Sequence, residues 1–220
     1  MISSFDIETS GLDPAVDFIT AVGVLNDNKF TVFSSPAKDF RNSPVDAEGK
    51  LLQSLLNFDF SYDNALLSYN GESFDIPFIR SRLLVHKLPA FPLLGTEHHI
   101  DLMHYATFIN GGTRISKDSA AFKFTNLYVP RNSSGAYLAA IYRQRIVSDD
   151  EHLSMWHHLS QDLFVTQRLF NKWNTYPEFE EFYTRKFPDF RTWCPKWDSS
   201  LPPRISPAVE PGEDLGGLFG

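Results

Sequence analysis

The chain has 220 residues, 42% hydrophobic and 15% aromatic, 20 of the aromatics being Phe, and a net charge of −7. That is apolar material for one domain with a substantial core, while the single cysteine, Cys194, excludes an internal disulfide and a zinc site built on cysteines. No stretch reaches the roughly 18 apolar residues of a membrane span and no basic region precedes an apolar one at the N-terminus, so the expectation is a cytoplasmic protein with no secretory signal; the acidic balance speaks against a DNA-coating protein.

In chain order, residues 1–7, 17–25 and 29–34 read as strands, with Asn26-Asp27-Asn28 as a hairpin turn. The first strand ends in Phe5-Asp6-Ile7-Glu8-Thr9-Ser10-Gly11-Leu12. Residues two apart in a strand share a face, so Asp6 and Glu8 point the same way. Carboxylates so close repel each other and are hard to ionise together unless a cation sits between them. A divalent metal is the natural cation. A strand end with two solvated acids ahead of a Gly turn fits the same residues.

A helix near residues 45–57 leads to a short buried strand, Ala65-Leu66-Leu67-Ser68. Asn70-Gly71 is a turn, and residues 74–85 form a helix with Phe74, Phe78, Ile79 and Leu83 on its apolar stripe. Asp75 thus lies near a helix N-terminus and beside a strand end; it also suits a simple helix cap, with Pro77 at home in the same turn.

A strand at residues 99–102 follows, and the remainder is mostly helical. Ser148 and Glu151 form a capping-box pattern, and Leu153, Trp156, Leu159 and Leu163 recur at helical spacing. That helix carries His157, His158 and Asp162. His158 and Asp162 fall on nearly one face, with His157 turned well away; such a pair also occurs on an ordinary solvated face. Beyond residues 1–194, which form the domain, residues 195–220 are rich in Pro and Gly and read as a flexible tail.

Together these segments resemble the DEDD (DnaQ-like) 3′–5′ exonucleases. Their acids come from a D-x-E strand, an N-x-x-x-F-D helix start and a late helix with His or Tyr ahead of the last Asp. The matching positions are Asp6, Glu8, Asp75 and Asp162. Tyr69-Asn70-Gly71-Glu72-Ser73-Phe74-Asp75-Ile76-Pro77-Phe78-Ile79 is similar to the second motif of family B polymerase proofreading domains and of the YprB-like exonucleases. Those branches place His or Tyr four residues before the last Asp, at His158; the DnaQ and Trex branch places His five before, at His157. Helix geometry and the second motif favour His158.

Ile100-Asp101-Leu102-Met103-His104-Tyr105 resembles the family's third core strand, and Ser134-Gly135 its next helix start. Asp101 is expected to cap the helix after it rather than to act in the site. The Leu-Lys pair usual after the third strand is missing, with Phe122-Lys123-Phe124-Thr125-Asn126-Leu127 in that region.

The resemblance implies an α/β, ribonuclease H-like fold, a mixed sheet of about five strands flanked by helices. It implies two Mg²⁺ or Mn²⁺ ions held by Asp6, Glu8, Asp75 and Asp162, with His158 as the base. The implied substrate is single-stranded nucleic acid with a free 3′ end, DNA ahead of RNA, cut to nucleoside 5′-monophosphates in repair or replication. Thr9 and Leu12 would meet the last nucleotide, and Asn70 and Phe74 would lie along the departing strand. An exoribonuclease in RNA processing, or a catalytically silent module that binds nucleic acid or protein, is the alternative. Arg80, Arg82, Arg114, Lys117, Lys123, Arg143 and Arg145 are candidates for a basic strip that tracks phosphates, the 114–123 group foremost. Leu215, Leu218 and Phe219 lie behind acids in the tail, faintly like a sliding-clamp-binding peptide without its glutamine. Such a peptide would recruit a replication or repair protein; a disordered end is the simpler reading.

Overall fold

The computed structural model describes residues 2–26, 29–58, 65–90, 98–128 and 134–194. Five strands, β1 (Ile2–Thr9), β2 (Ile19–Asn26), β3 (Lys29–Ser34), β4 (Ala65–Ser68) and β5 (His99–Asp101), form one sheet in the order β3-β2-β1-β4-β5. β1 pairs antiparallel with β2 and parallel with β4, which pairs parallel with β5. As a central strand covered on both faces must be, β1 is buried along nearly its whole length. The helices are α1 (Ala37–Asn42), α2 (Pro44–Leu56), α3 (Asp75–Val85), α4 (Leu102–Ile109), α5 (Lys117–Thr125), α6 (Gly135–Arg143), α7 (Asp149–Trp173), α8 (Pro177–Thr184) and α9 (Phe190–Trp193). The expected mixed sheet flanked by helices is the observed architecture.

The long helix α7 is nucleated by the capping box read from the sequence: Ser148 accepts from the Glu151 backbone, and the Glu151 side chain accepts in return from the Ser148 N–H. It lies across the sheet, running opposite to β1. Ser4 donates to Gln167 at 2.8 Å, Asp6 and Asp162 share the Lys117 ammonium, and Glu8 stands 3.9 Å from His158. Two strand residues advance about 6.6 Å and four helix residues about 6 Å, so alternate residues of β1 meet successive turns of α7. Gly23 permits the close approach. It pairs with Asp6, and a Cβ there would come within 2.8 Å of Leu159 and Leu163 of α7.

Two apolar clusters flank this line of contacts. One joins Phe5, Ile7, Val22 and Val24 to α2, α3, α6 and the first part of α7; the other joins Leu67 and Ile100 to α4, α5, α8, α9 and the last part of α7. The Phe residues are shared between the two, and the second is dense in ring contacts. Tyr105, for example, packs edge to face on Trp173 and Phe179 with ring centroids at 5.3 and 4.9 Å. Most strand and helix bounds follow the sequence reading within one or two residues. β2 starts at Ile19 rather than residue 17 because Ser10 closes the preceding loop, exchanging hydrogen bonds with the Phe18 backbone. The tail at residues 195–220, the partner peptide read into it and part of the 26–28 turn lie outside the described residues. Among the described residues no helix is long and apolar enough to cross a membrane.

His152, buried under α7 against Phe40 and Trp156 and hydrogen-bonded through Nδ1 to the Tyr142 hydroxyl, has its pKa pulled down by burial to about 4. The unfolded chain binds this proton near pH 6.5 and the folded chain does not, so the stabilisation is complete above that pH and is lost as pH falls towards 4. The expected loss is about 3 kcal/mol. Urea denaturation of wild type and His152→Phe between pH 4 and 7 checks it: the variant should show the shallower pH dependence.

Candidate active site

Chain alternation puts Asp6 and Glu8 on the α7 side of β1, as their spacing predicts. A register shift between Glu8 and Thr9 ends the regular pairing with β2 just beyond them. Asp75 arrives differently from a helix cap. It is the first residue of α3, 3% exposed, and its Oδ1 accepts from the Ile7 backbone N–H at 3.0 Å. The paired part of β4 ends at Leu67, opposite Ser4, which leaves the Ile7 N–H to the carboxylate.

Asp162 completes the group from α7. Lys117, the first residue of α5, places its Nζ 2.9 Å from Asp6 Oδ2 and 3.0 Å from Asp162 Oδ2. Among the described residues Lys117 is the ammonium paired with two of the four carboxylates, Asp6 and Asp162, in a largely buried cleft. Burial pushes Asp6 up to about 6, against the pull of Lys117, with neighbouring Asp162 adding to the rise. Burial and then the Asp6 charge hold Asp75 well above the usual carboxylate range. Burial works against the Lys117 charge, yet Asp162 and Asp6 keep its ammonium well above an ordinary lysine. The excess negative charge is the physical signature of a cation site. Glu8, His158 and Asp162 each offer a ligand atom, and these lie within 4.8 Å of one another.

The helix is unbroken at His157. His158 therefore faces Glu8, its Nε2 3.9 Å from Oε1, and half-buried His157 is turned about 100° round α7. Thr9 is buried at the end of β1, its hydroxyl donating to the Gly11 carbonyl, while Leu12 is 81% exposed on the loop that follows. That loop is pinned from two sides. Arg143 grips Asp17, and Arg82 reaches the Pro14 carbonyl at 3.1 Å. Gly11 is needed for the first contact, since a Cβ there would strike Arg143 and Asp17. Half-buried Phe74 packs on Phe78 at the start of α3, and Asn70 takes a left-handed φ of 75° in the turn after β4.

Two expectations need correction. Arg82 and Arg143 are not free to track phosphates: Arg82 is buried against fully buried Glu48, at 2.6 Å, and Arg143 is committed to Asp17. Nor does Lys117, another strip candidate, stand on a separate path for phosphates: its ammonium is held between Asp6 and Asp162. Asp101 does cap α4, accepting from Met103 N–H as expected, but its carboxylate also binds the N–H groups of Asn70 and Glu72.

A family model described as the RNase H superfamily matches residues 4–174, and the chain belongs to that superfamily. The match ends at Asn174, the C-cap of α7, so α8 and α9 lie beyond the matched part. The comparison with curated proteins finds no match. Among solved structures the chain is similar to the family B DNA polymerase from the hyperthermophilic archaeon Pyrobaculum calidifontis, with 15% identity and a TM-score of 0.60. The likeness covers 78% of this chain and 24% of that one, so the two share a fold over about a quarter of the polymerase.

Replacing the Lys117 ammonium tests the charge balance. Lys117→Met leaves Asp6 and Asp162 without their buried partner and is expected to lower stability by roughly 3 kcal/mol in chelator. Mn²⁺ should return most of the loss by binding the folded state. Thermal unfolding with EDTA and with Mn²⁺ measures both; equal midpoints for variant and wild type in EDTA would refute the balance.

Proposed function

We propose that this chain is a metal-dependent 3′–5′ exonuclease that hydrolyses single-stranded nucleic acid, DNA ahead of RNA, to nucleoside 5′-monophosphates. The observation that carries the reading is the convergence of Asp6, Glu8, Asp75 and Asp162 with His158, where Lys117 pairs with Asp6 and Asp162. A module that only binds nucleic acid has no use for four like charges in one cleft.

The donors are mostly hard carboxylate oxygens with one imidazole, a set that suits Mg²⁺ or Mn²⁺. Asp6, Glu8, Asp75 and Asp162 would hold them. When bound, two such ions activate the attacking water and stabilise the leaving oxygen. His158, whose Nε2 faces Glu8, takes the proton of that water as the general base. Glu8, 3.9 Å away, steadies the imidazolium that results. Lys117 keeps Asp6 and Asp162 in place and offers positive charge to the phosphoryl oxygens as charge builds on them. The 3′ nucleotide lies against the Thr9 backbone, with exposed Leu12 on its pinned loop at the terminal base and Asn70 and Phe74 beside the rest of the strand.

Labelled DNA and RNA oligonucleotides, marked at either end, test the reading. In Mn²⁺ or Mg²⁺ the wild type should shorten strands from the 3′ end and Asp6→Ala should not. His158→Ala should lose roughly 100-fold in rate or more and His157→Ala little. Absence of 3′ shortening on every substrate would sink the proposal. A ligating carboxylate must shed its proton, and Asp6 holds one up to about pH 6. Mn²⁺ affinity measured by calorimetry should therefore rise by about tenfold per pH unit or more below that point, and keep rising above it until Asp75, whose carboxyl is also held high by burial, has shed its proton.

A further inference from the structure

We propose that Arg114 holds a backbone phosphate of the single strand that enters the site, on a mount built by Asp101. This deepens the exonuclease reading and rests on it for the identity of the strand. Asp101 is 1% exposed, and its carboxylate accepts three backbone N–H groups: Asn70 at 2.7 Å and Met103 at 3.0 Å on Oδ1, and Glu72 at 3.0 Å on Oδ2. Asn70 and Met103 are the two residues that hold Arg114. Asn70 Oδ1 accepts from its Nη2 at 2.6 Å, and Met103 Sδ accepts from its Nε at 3.2 Å. One buried carboxylate thus fixes the backbone beneath both contacts of an exposed guanidinium. From behind, Tyr183 donates to the Asp101 carbonyl and Tyr69 to the carbonyl of Ile115, next to Arg114, both at 2.7 Å.

The two atoms that touch the guanidinium are both uncharged, and that points to an anion. Arg82, Arg143, Arg185 and Arg191 are each paired with a carboxylate, which aims a guanidinium but cancels its charge. An amide oxygen and a thioether sulfur aim it without cancelling anything. A guanidinium has five N–H donors in a planar fork. Among the described residues Arg114 uses Nε and Nη2 on these two anchors, neither a carboxylate, which leaves Nη1 and the second Nη2 hydrogen for the paired oxygens of a phosphodiester. Arg114 stands three residues ahead of Lys117, whose ammonium touches Asp6 and Asp162. A strand with one phosphodiester at the acids can offer a neighbouring phosphate to Arg114, whereas a free phosphate reaches one place or the other.

Binding is read without turnover, by fluorescence anisotropy of a 5′-labelled oligothymidylate in Ca²⁺. Arg114→Gln should weaken binding about tenfold and reduce the slope of log Kd against log salt by about 0.7. Asn70→Asp, which sets a carboxylate beneath the guanidinium, should weaken it comparably. In a series of oligonucleotides each carrying one neutral methylphosphonate, one position should weaken wild-type binding and have no effect on Arg114→Gln. Equal affinity and salt slope for Arg114→Gln and wild type would overturn the proposal, as would a methylphosphonate profile identical in both proteins. The two readings fail separately. A wild type that binds through Arg114 yet shortens no strand removes the exonuclease, while 3′ degradation with Arg114→Gln binding as wild type removes the phosphate site.

Discussion

An excess of buried negative charge organises this molecule. Asp6, Glu8, Asp75 and Asp162 come from three distant stretches of chain into a cleft where Lys117 is the ammonium that pairs with Asp6 and Asp162. Apolar burial elsewhere holds them there, because the carboxylates alone would drive the segments apart. The rise of Asp6 and Asp75 in pKa is the local measure of that opposition. An arrangement that stores repulsion in its resting state is poised for added positive charge, which is why metal binding and catalysis are natural readings of it.

The carboxylates meet because two periodicities happen to match. A strand brings every second side chain to one face, a helix brings one about every fourth, and both steps measure about 6 Å or a little more. Ser4, Asp6 and Glu8 can therefore each find a partner from Gln167, the Asp162 region and His158 along a single helix. The match would be wasted without close contact. Gly23, opposite Asp6, removes the one side chain that would keep Leu159 and Leu163 off the sheet.

Around this centre, buried carboxylates serve as mounts for backbone rather than as chemistry. Glu48 accepts from the Ile19 N–H, Arg82 and His86, tying α2, α3 and the start of β2 together. Asp17 closes the loop of Leu12, and Asp101 binds the turn of Asn70 to the start of α4. Glu48 sits inside α2, Asp101 at the end of β5 and Asp17 just ahead of β2, so the loops that would meet a substrate are stiffened from below. Helix α8 and the turn after it add a further brace through Tyr183 and Lys186, which reach Asp101 and Glu72.

Much of this was legible in the sequence. Alternation put Asp6 and Glu8 on one face, helical spacing set His158 with Asp162 and turned His157 away, and the Ser148 and Glu151 cap marked the start of α7. Those features depend on residues within a few positions of each other, where backbone geometry leaves little choice. The tertiary structure alone decided which charges pair. Lys117 reaches Asp6 across 111 positions and Asp162 across 45. Asp75 turns from its own helix to the Ile7 N–H 68 positions away, Arg82 and Arg143 are taken by Glu48 and Asp17, and Arg114 is left charged on its amide and thioether anchors. Charge pairing is set by a few ångströms of space and by how deeply water is excluded, and neither is written in any local stretch of chain.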